Sequence, residues 1–363
     1  MADISQIRTV LSRYIDPYLE MDLFRAEIVK SCVLVGDCLT LDCVFPYANL
    51  GYHDTLEQTL KDLLRAADVG VQKLNLMQSV KIQAAVQTSQ VPSVSKVKNI
   101  VAVSSGKGGV GKSTTSVNLA LALVAEGARV GIFDADIYGP SQGMMLGIAP
   151  GTHPQPLADD KMLPIDGLGV VSMSIAYMID ETTPMVWRGP MASGAISQMV
   201  NQTQWGELDY LIIDMPPGTG DIQLTLSQKV PITAALVVTT PQDIALLDAK
   251  RGIEMFRKVD IAVLGVIENM SVHVCSNCGH QEHIFGEGGG RTIAQEYQSE
   301  LLGALPLNID IRSQADSGKP SVAAEPNGVI AASYREIARK VGARLHQLNA
   351  QGHKGPSLSV VDD

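Results

Sequence analysis

The length of 363 residues indicates two domains, or one large domain with an appendage, and a content of 45% hydrophobic and 18% charged residues allows a sizeable core. Its formal net charge of −10 argues against general affinity for nucleic acid or anionic membranes. We see neither a signal peptide nor an apolar run of about 18 residues, so we expect a cytoplasmic protein whose five cysteines are free thiols or metal ligands.

The first part of the chain predicts a small α+β domain over residues 1–87. Apolar spacing predicts helices at 4–14 and 54–67, and strand-like runs lie at 27–35, 39–45 and 73–84. Asp16-Pro17 ends the first helix. The polar, Ser-rich stretch 88–97, interrupted by Pro92, is typical of a linker.

From residue 98 onward, short aliphatic runs alternate with helical patterns. The predicted strands are 99–104, 129–133, 169–173, 210–213, 234–239 and 262–267, and the predicted helices are 113–126, 190–203, 220–229, 243–258 and 328–347. Such alternation predicts an α/β domain over 98–349, with a mainly parallel sheet and helices on both faces. A flexible tail is expected over 350–363.

A glycine-rich loop follows the first of these strands and precedes a helix. Gly106-x4-Gly111-Lys112-Ser113 fits the P-loop pattern, in which backbone N–H groups surround a phosphate. Lys112 would reach the β- and γ-phosphates of ATP, and the Ser113 hydroxyl would ligate Mg²⁺. The predicted nucleotide-binding stretch comprises Gly106, Lys107, Gly108, Gly109, Val110, Gly111, Lys112, Ser113 and Thr114. A chance Gly-rich turn is the alternative.

Polar residues also stand where three other predicted strands end. Asp134 and Asp136 follow one strand, Asp214 and then Gly218 follow another, and Asn269 follows a third. In a parallel sheet these ends share one edge with the phosphate loop. Carboxylates there can hold Mg²⁺ or position an attacking water, although strand-end turn residues are the simpler interpretation of any one of them.

Cys275 and Cys278 form a Cys-x2-Cys pair, with His280 and His283 close behind. Such a turn places two thiolates on one side of a loop, suited to one metal ion or one edge of a cluster. A single-chain zinc site of these four residues would be strained by its short spacing. A redox dithiol, or two cysteines without a special role, are further alternatives.

The loop Lys107-Gly-Gly-Val-Gly-Lys-Ser-Thr resembles the deviant Walker A motif of the MinD/Mrp/nitrogenase-iron-protein class. The resemblance implies a homodimer with ATP between the subunits and Lys107 reaching the partner's nucleotide. It also implies roles for the strand-end residues. Asp136 would orient the catalytic water, Asp134 would belong to the Mg²⁺ shell, Asp214 would be the Walker B carboxylate, Gly218 would sense the γ-phosphate, and Asn269 would bind adenine.

A closer resemblance, to the Mrp/ApbC iron–sulfur cluster carrier ATPases, covers most of 98–320. It rests on residues 106–115, 134–141, Trp187-Arg188-Gly189-Pro190-Met191, 214–221, 268–271 and 275–290. It implies slow ATP hydrolysis and a labile [4Fe–4S] cluster held by Cys275 and Cys278 of two subunits. Apo iron–sulfur client proteins and scaffold proteins would be the partners, and neither nucleic acid nor membrane is expected. Residues 1–87 resemble a PaaD-like domain more loosely.

Two other functions share the same phosphate loop. A MinD/ParA-type positioning ATPase acting on membrane or DNA is favoured by Arg335, Arg339, Lys340 and Arg344 on one predicted helix. An electron-transfer ATPase like the nitrogenase iron protein would carry cluster cysteines far apart in sequence. In the first domain we expect Cys38 and Cys43 to be buried, with Cys32 an auxiliary metal ligand as the alternative to a structural role.

Overall fold

The computed structural model describes residues 3–85, 91–179, 189–275 and 277–352. The chain divides into two units, the first comprising Met1–Val86, Ala125–Gly127 and Arg339–Asp363, and the second comprising Gln87–Val124 and Ala128–Ala338. The domain boundaries given above stay a prediction. Of the predicted linker, Pro92–Val94 forms a 3-10 turn whose Val94 is buried. Of the predicted tail, residues 353–363 lie outside the described part.

In the first unit, helices and strands alternate much as the apolar spacing predicts. Its elements are α1 (Ile4–Leu11), β1 (Val29–Val35), β2 (Cys38–Phe45), a 3-10 turn (Leu50–Tyr52), α2 (His53–Ala66) and β3 (Lys73–Val80). Within the described residues, β2 is the middle strand of three, antiparallel to β1 and parallel to β3. Its alternate residues are buried against the leucine stripe of α2, so the unit has its own apolar core.

Asp16 fixes the turn that follows the first helix. Its fully buried carboxylate accepts hydrogen bonds from the backbone N–H groups of Tyr18 (3.0 Å) and Leu19 (2.8 Å) and from the Tyr47 hydroxyl (2.8 Å). The helix itself ends earlier than predicted, at Leu11. The Asx turn at Asp16, together with Pro17, which has no N–H to donate, holds the chain in a turn after it.

The second unit contains the strands and helices that follow the linker. They are β4 (Val97–Ser104), α3 (Lys112–Ala125), β5 (Val130–Asp134), α4 (Gln142–Met145), β6 (Ile165–Gly167), β7 (Val170–Ser174), α5 (Gly189–Gln202), β8 (Leu208–Asp214), α6 (Asp221–Lys229), β9 (Ala234–Thr239), α7 (Asp243–Lys258), β10 (Val263–Glu268), β11 (His273–Val274), β12 (Gln281–Glu282), α8 (Gly289–Glu296), β13 (Glu300–Ala304), α9 (Ile309–Asp316), α10 (Ser321–Ala324) and α11 (Val329–Gly352), whose residues from Arg339 onward belong to the first unit.

One large sheet organises this unit. Its strand order in the described residues is β13-β10-β9-β4-β8-β5-β7-β6, and every neighbouring pair is parallel except β6–β7. Every residue of β5, β8 and β9 is buried, as expected for strands covered on both faces. The predicted fold class, a mainly parallel P-loop NTPase sheet flanked by helices, is confirmed.

The structure also contains strands that the sequence pattern did not predict. Edge strands β6 and β13 are short and partly exposed, so they lack the continuous apolar run of the central strands. Strands β11 and β12 form a separate two-stranded hairpin, and the Cys275–Cys278 stretch lies at its turn. The hairpin leaves the sheet directly after β10.

Candidate functional site

The phosphate loop lies between the end of β4 and the start of α3, as predicted. Gly109 and Gly111 have φ of +83° and +84°, a region that non-glycine residues rarely adopt. A Cβ on Gly106 would collide with the backbone of Asp248 in α7. These glycines are therefore needed for the loop's curvature and for its packing against the neighbouring helix.

Lys112 is the buried cation of this site. Its ammonium lies 2.6 Å from Asp214 Oδ1 and 3.0 Å from Ser113 Oγ. The fold thus brings together three residues that the sequence assigned to the phosphates, to Mg²⁺ and to the Walker B carboxylate. A triphosphate entering the loop would compete with Asp214 for the ammonium.

Two residues that the sequence analysis missed complete the surroundings of Asp214. Ser116 donates from Oγ to Asp214 Oδ1 (2.9 Å), and Gln142 donates from Nε2 to Asp214 Oδ2 (2.8 Å) and to the Ser113 carbonyl (3.1 Å). Both side chains are fully buried. Ser116 has a detectable signal, because it lies four residues after Lys112 and therefore on the same face of α3.

Asp134 and Asp136 lie at the end of β5, and Asp134 pairs in register with Asp214 across the β5–β8 ladder. Asp134 Oδ2 accepts from the backbone N–H groups of Ser141 (2.9 Å) and Gln142 (3.1 Å) and from Ser174 Oγ (3.2 Å). Complete burial, with the charge of Asp214 nearby, raises the pKa of Asp134 to about 7. Burial also raises the pKa of Asp136.

These contacts give Asp134 a local structural task, because it orders the loop between Asp136 and Gln142. Its place in the Mg²⁺ shell and the positioning of water by Asp136 stay predictions. The other two predicted Mg²⁺ ligands are the Ser113 hydroxyl and the Asp214 carboxylate, which are oxygen donors of the hard type that Mg²⁺ prefers.

The other predicted nucleotide residues border the same loop. Gly218, with φ of +96°, donates its backbone N–H to the Ser105 carbonyl at 3.0 Å. Asn269 donates from Nδ2 to the Val110 carbonyl at 2.9 Å, and a Cβ on Gly111 would collide with this amide. Lys107 is partly exposed. The adenine, γ-phosphate and partner-nucleotide roles of Asn269, Gly218 and Lys107 stay predictions.

The cysteine pair lies at the turn of the β11–β12 hairpin. Cys275 donates its N–H to the His280 carbonyl (2.9 Å) and accepts from the N–H of Gly279 (2.9 Å), while Cys278 is exposed. Backbone N–H groups of Cys278 and Asn277 point at the Cys275 sulfur and lower the pKa of this thiol. The turn therefore favours the thiolate, the form that binds metals.

Two alternatives for the pair find no support in this geometry. The His283 ring bonds through Nδ1 to the Ser271 carbonyl at 2.8 Å. Among the described residues, no group of three or more His, Cys, Asp or Glu side chains is placed to hold a metal ion. A thioredoxin-like dithiol would open a helix, whereas these cysteines lie in a hairpin turn.

Three cysteines of the first unit were considered as structural or auxiliary residues. Cys43 is fully buried, and burial raises the pKa of its thiol to about 12. Cys38 is only partly buried, so the burial prediction is correct for Cys43 and wrong for Cys38. Cys32 is also partly buried, and burial raises its pKa.

The basic residues of α11 were the signal for a membrane or DNA partner. Arg339 bonds to Glu126 Oε1 (2.7 Å) and to the Tyr18 hydroxyl (2.7 Å), and Arg344 bonds to Glu20 Oε1 (2.9 Å). All of these partners belong to the first unit. In the described part of the chain, no helix combines the length and apolar character needed to cross a membrane.

Trp187 and Arg188, part of the motif carrying the family resemblance, lie outside the described residues. Gly189 is the first residue of α5, and Pro190 and Met191 follow in its first turn.

Sequence comparison finds close relatives of this chain. Residues 96–342 match the ParA family pattern described as the NUBPL iron-transfer P-loop NTPase. An iron–sulfur cluster carrier protein of Salmonella typhimurium is 48% identical over 343 residues, covering 94% of this chain and 92% of that protein. One from Pseudomonas fragi is 64% identical over 258 residues, covering 71% and 90%. The iron–sulfur cluster transfer protein NUBPL of Mus musculus is 48% identical over 251 residues, covering 69% and 78%.

Two solved structures are also similar to this chain. A nucleotide-binding protein of Archaeoglobus fulgidus in complex with ADP, with Co found by PIXE, is similar with a TM-score of 0.57 at 34% identity, covering 67% of this chain and 92% of that one. The cell division ATPase MinD of Pyrococcus furiosus has a TM-score of 0.50 at 20% identity, covering 67% and 98%, and speaks for the fold alone. With a match over most of its length and relatives at 48% identity, the chain belongs to the ParA/NUBPL family of iron-transfer P-loop NTPases.

Proposed function

We propose that this chain is an ATP-dependent carrier that holds a labile [4Fe–4S] cluster between two copies and transfers it to apo-proteins. The observation that carries the proposal is the Cys275–Cys278 turn, which lies partly exposed in the same unit as the phosphate loop. The relatives named as cluster carrier and cluster transfer proteins support it.

The nucleotide half of the proposal rests on the cluster around Lys112. Lys112 would hold the β- and γ-phosphates of ATP, and Ser113 and Asp214, with Asp134 at their side, would hold Mg²⁺. When bound, Mg²⁺ neutralises charge on the phosphates. Asp136 would orient the attacking water, and Lys107 would reach the nucleotide of the second copy. ATP hydrolysis would then change the conformation of the two chains and so change how tightly they bind the cluster.

The cluster half rests on ligand number. A [4Fe–4S] cluster takes four thiolates, and one chain offers two at the hairpin turn. Two copies facing each other would supply all four from Cys275 and Cys278. Cargo held by exposed turns of two separate chains can be released when the chains move apart, which suits delivery to apo iron–sulfur proteins, directly or through scaffold proteins.

Anaerobic reconstitution with iron and sulfide tests the assignment. We expect the wild-type protein to gain the visible absorption and Mössbauer signature of a [4Fe–4S] cluster. Cys275→Ala and Cys278→Ala should lose this signature while keeping ATP hydrolysis. Cys38→Ala, which removes a partly buried thiol of the first unit, is the matched control and should keep it. A cluster retained in Cys275→Ala would mean that the assigned site is wrong.

The alternative is a positioning ATPase of the MinD/ParA kind. It has less support, because the Arg339 and Arg344 side chains on which it relied bond to residues of their own unit. Sedimentation with liposomes or DNA, with and without ATP, separates the two functions. Pelleting that depends on ATP would favour the alternative, and we expect none.

A further inference from the structure

Strand β10 ends at Glu268, and Glu268 and the next residue, Asn269, contact different parts of the second unit. Asn269 is buried and donates its side-chain N–H to the Val110 carbonyl of the phosphate loop at 2.9 Å. Its amide lies so close to Gly111 that a Cβ there would collide with it. A shift of the phosphate loop at Val110 and Gly111 must therefore also displace Asn269.

Glu268, the residue before Asn269, contacts helix α8 instead of the phosphate loop. Its buried carboxylate accepts a hydrogen bond from the backbone N–H of Gly290 at 2.5 Å. Gly290 lies in the first turn of α8, where N–H groups lack helical partners and a negative charge is favourable. A Cβ on Gly290 would lie 2.9 Å from Glu268 Cβ and 3.0 Å from Oε2, so the approach requires glycine.

The chain between Asn269 and Gly290 carries the cysteine hairpin. Its first stem is fixed at Ser271, whose N–H and hydroxyl both donate to the Leu305 carbonyl at 3.0 Å. Leu305 in turn donates its N–H to the Glu268 carbonyl at 2.8 Å. The second stem, β12, is followed by the segment that enters α8, where the Gly290 N–H is bonded to the Glu268 carboxylate. The segments that flank the hairpin on its two sides are thus both linked to Glu268, one through its carbonyl and Leu305 and the other through its carboxylate.

We propose that Glu268 is a positioning residue that transmits the nucleotide state of the phosphate loop to the Cys275–Cys278 hairpin. This inference rests on the proposed function and adds to it the physical connection between its two halves. A displacement at Val110 moves Asn269, and Glu268 carries the movement through Leu305 and Gly290 to the two segments that flank the hairpin. Coupling of this kind is a free energy shared by two sites, so nucleotide must change the behaviour of the cysteines.

The test measures Cys275 alkylation in apo-protein, with and without Mg–ATP, by peptide mass spectrometry. We compare the Cys275 alkylation rate with Mg–ATP to the rate without it, and call the larger rate divided by the smaller the nucleotide ratio. We expect this ratio to be about three or more in the wild-type protein and to approach one in Glu268→Ala. Glu268→Gln keeps an oxygen that accepts from Gly290 and should preserve the ratio. Glu282→Ala removes an exposed carboxylate from β12 of the same hairpin and is the matched control, with an unchanged ratio.

Gly290→Ala tests the contact from its other side, because its Cβ displaces the Glu268 carboxylate without changing any charge. It should reduce the ratio as Glu268→Ala does, and it decides the matter if Glu268→Ala fails to fold. Both variants should bind ATP with affinity within about threefold of wild type, since neither residue touches the phosphate loop. A purely structural role would leave the ratio unchanged in folded protein.

A wild-type ratio of one, an unchanged ratio in both variants, or a Glu268→Gln protein that behaves like Glu268→Ala would overturn the inference. None of these measurements needs a bound cluster. Failure of the proposed function appears separately, as a cluster retained after Cys275→Ala in the reconstitution experiment.

Discussion

Lys112 and Asp214 form a buried ion pair whose two members come from different elements. Removing one partner of such a pair leaves an uncompensated buried charge, which costs about 3–5 kcal/mol. We therefore expect Lys112→Ala to lower the free energy of unfolding by about that amount and to abolish ATP binding, while cluster assembly in vitro continues. Urea unfolding and nucleotide titration measure the two effects.

The double variant Lys112→Ala/Asp214→Asn is the control for the buried charge. Without the carboxylate the penalty disappears, so much of the lost stability should return although ATP binding does not. If the double variant were as unstable as the sum of the two single variants, the ion pair would not be the source of the effect.

His346, on the part of α11 that belongs to the first unit, predicts a pH dependence of stability. Burial lowers the pKa of this imidazole below its usual range, and its Nδ1 has no hydrogen-bond partner among the described residues. As pH falls through about 6.5, the His346 imidazole binds a proton in the unfolded chain but not yet in the native state. The free energy of unfolding therefore decreases. His346→Gln should lose less stability than wild type between about pH 7 and pH 5. If the melting temperatures of the two proteins fell equally between these pH values, His346 would not contribute to the pH dependence of stability.

At the residue scale, sequence reasoning succeeded where a side chain has a positional signal. Asp214 was predicted because it follows an apolar strand in a parallel sheet, and the structure places it beside Lys112. The roles of Gln142 and Ser174 were not predicted. The hydrogen bonds of Gln142 to Asp214 and of Ser174 to Asp134 join segments that are far apart in the chain. No spacing in the sequence predicts that such a polar side chain will be buried beside a carboxylate.

At the scale of elements, a glycine of the loop from β4 to α3 can be compared with a glycine outside it. Gly111 has φ of +84° and faces the Asn269 amide, whereas a Cβ on Gly194 of α5 would have no neighbouring atom within 4 Å, and the φ of Gly194 is not positive. We expect Gly111→Ala to weaken ATP binding at least about tenfold, because left-handed backbone alone costs about 1–2 kcal/mol per residue and the collision adds to it.

Gly194→Ala, outside the loop, should bind ATP within about threefold of wild type. Isothermal titration of both variants measures the contrast. Equal affinities would mean that the curvature at Gly111 is not required for nucleotide binding.

The central strands could be predicted because burial on both faces demands continuous Val, Ile and Leu runs. The edge strand β13, with sequence Glu-Leu-Leu-Gly-Ala, has its two leucines between Glu and Gly and buries only Leu302, so it lacks the long β-branched run of the central strands. The β11–β12 hairpin has two residues in each strand and no apolar alternation. What fixes it is hydrogen bonding to residues around Leu305 and Leu307, which the local sequence does not contain.

At the scale of the whole molecule, the proposed carrier function needs two copies of the chain. The cysteine turn supplies two thiolates, and the described residues contain no third metal-binding side chain beside them. Lys107, on the phosphate loop of one copy, is assigned to the nucleotide of the other. Both halves of the proposed function therefore depend on the same pairing of chains.

Native mass spectrometry of the reconstituted protein under anaerobic conditions tests this claim most directly. We expect a dimer carrying the mass of one Fe₄S₄ unit, and a Cys275→Ala protein without that mass. A monomer that retains a complete Fe₄S₄ unit, or a dimer with one such unit on each chain, would contradict it.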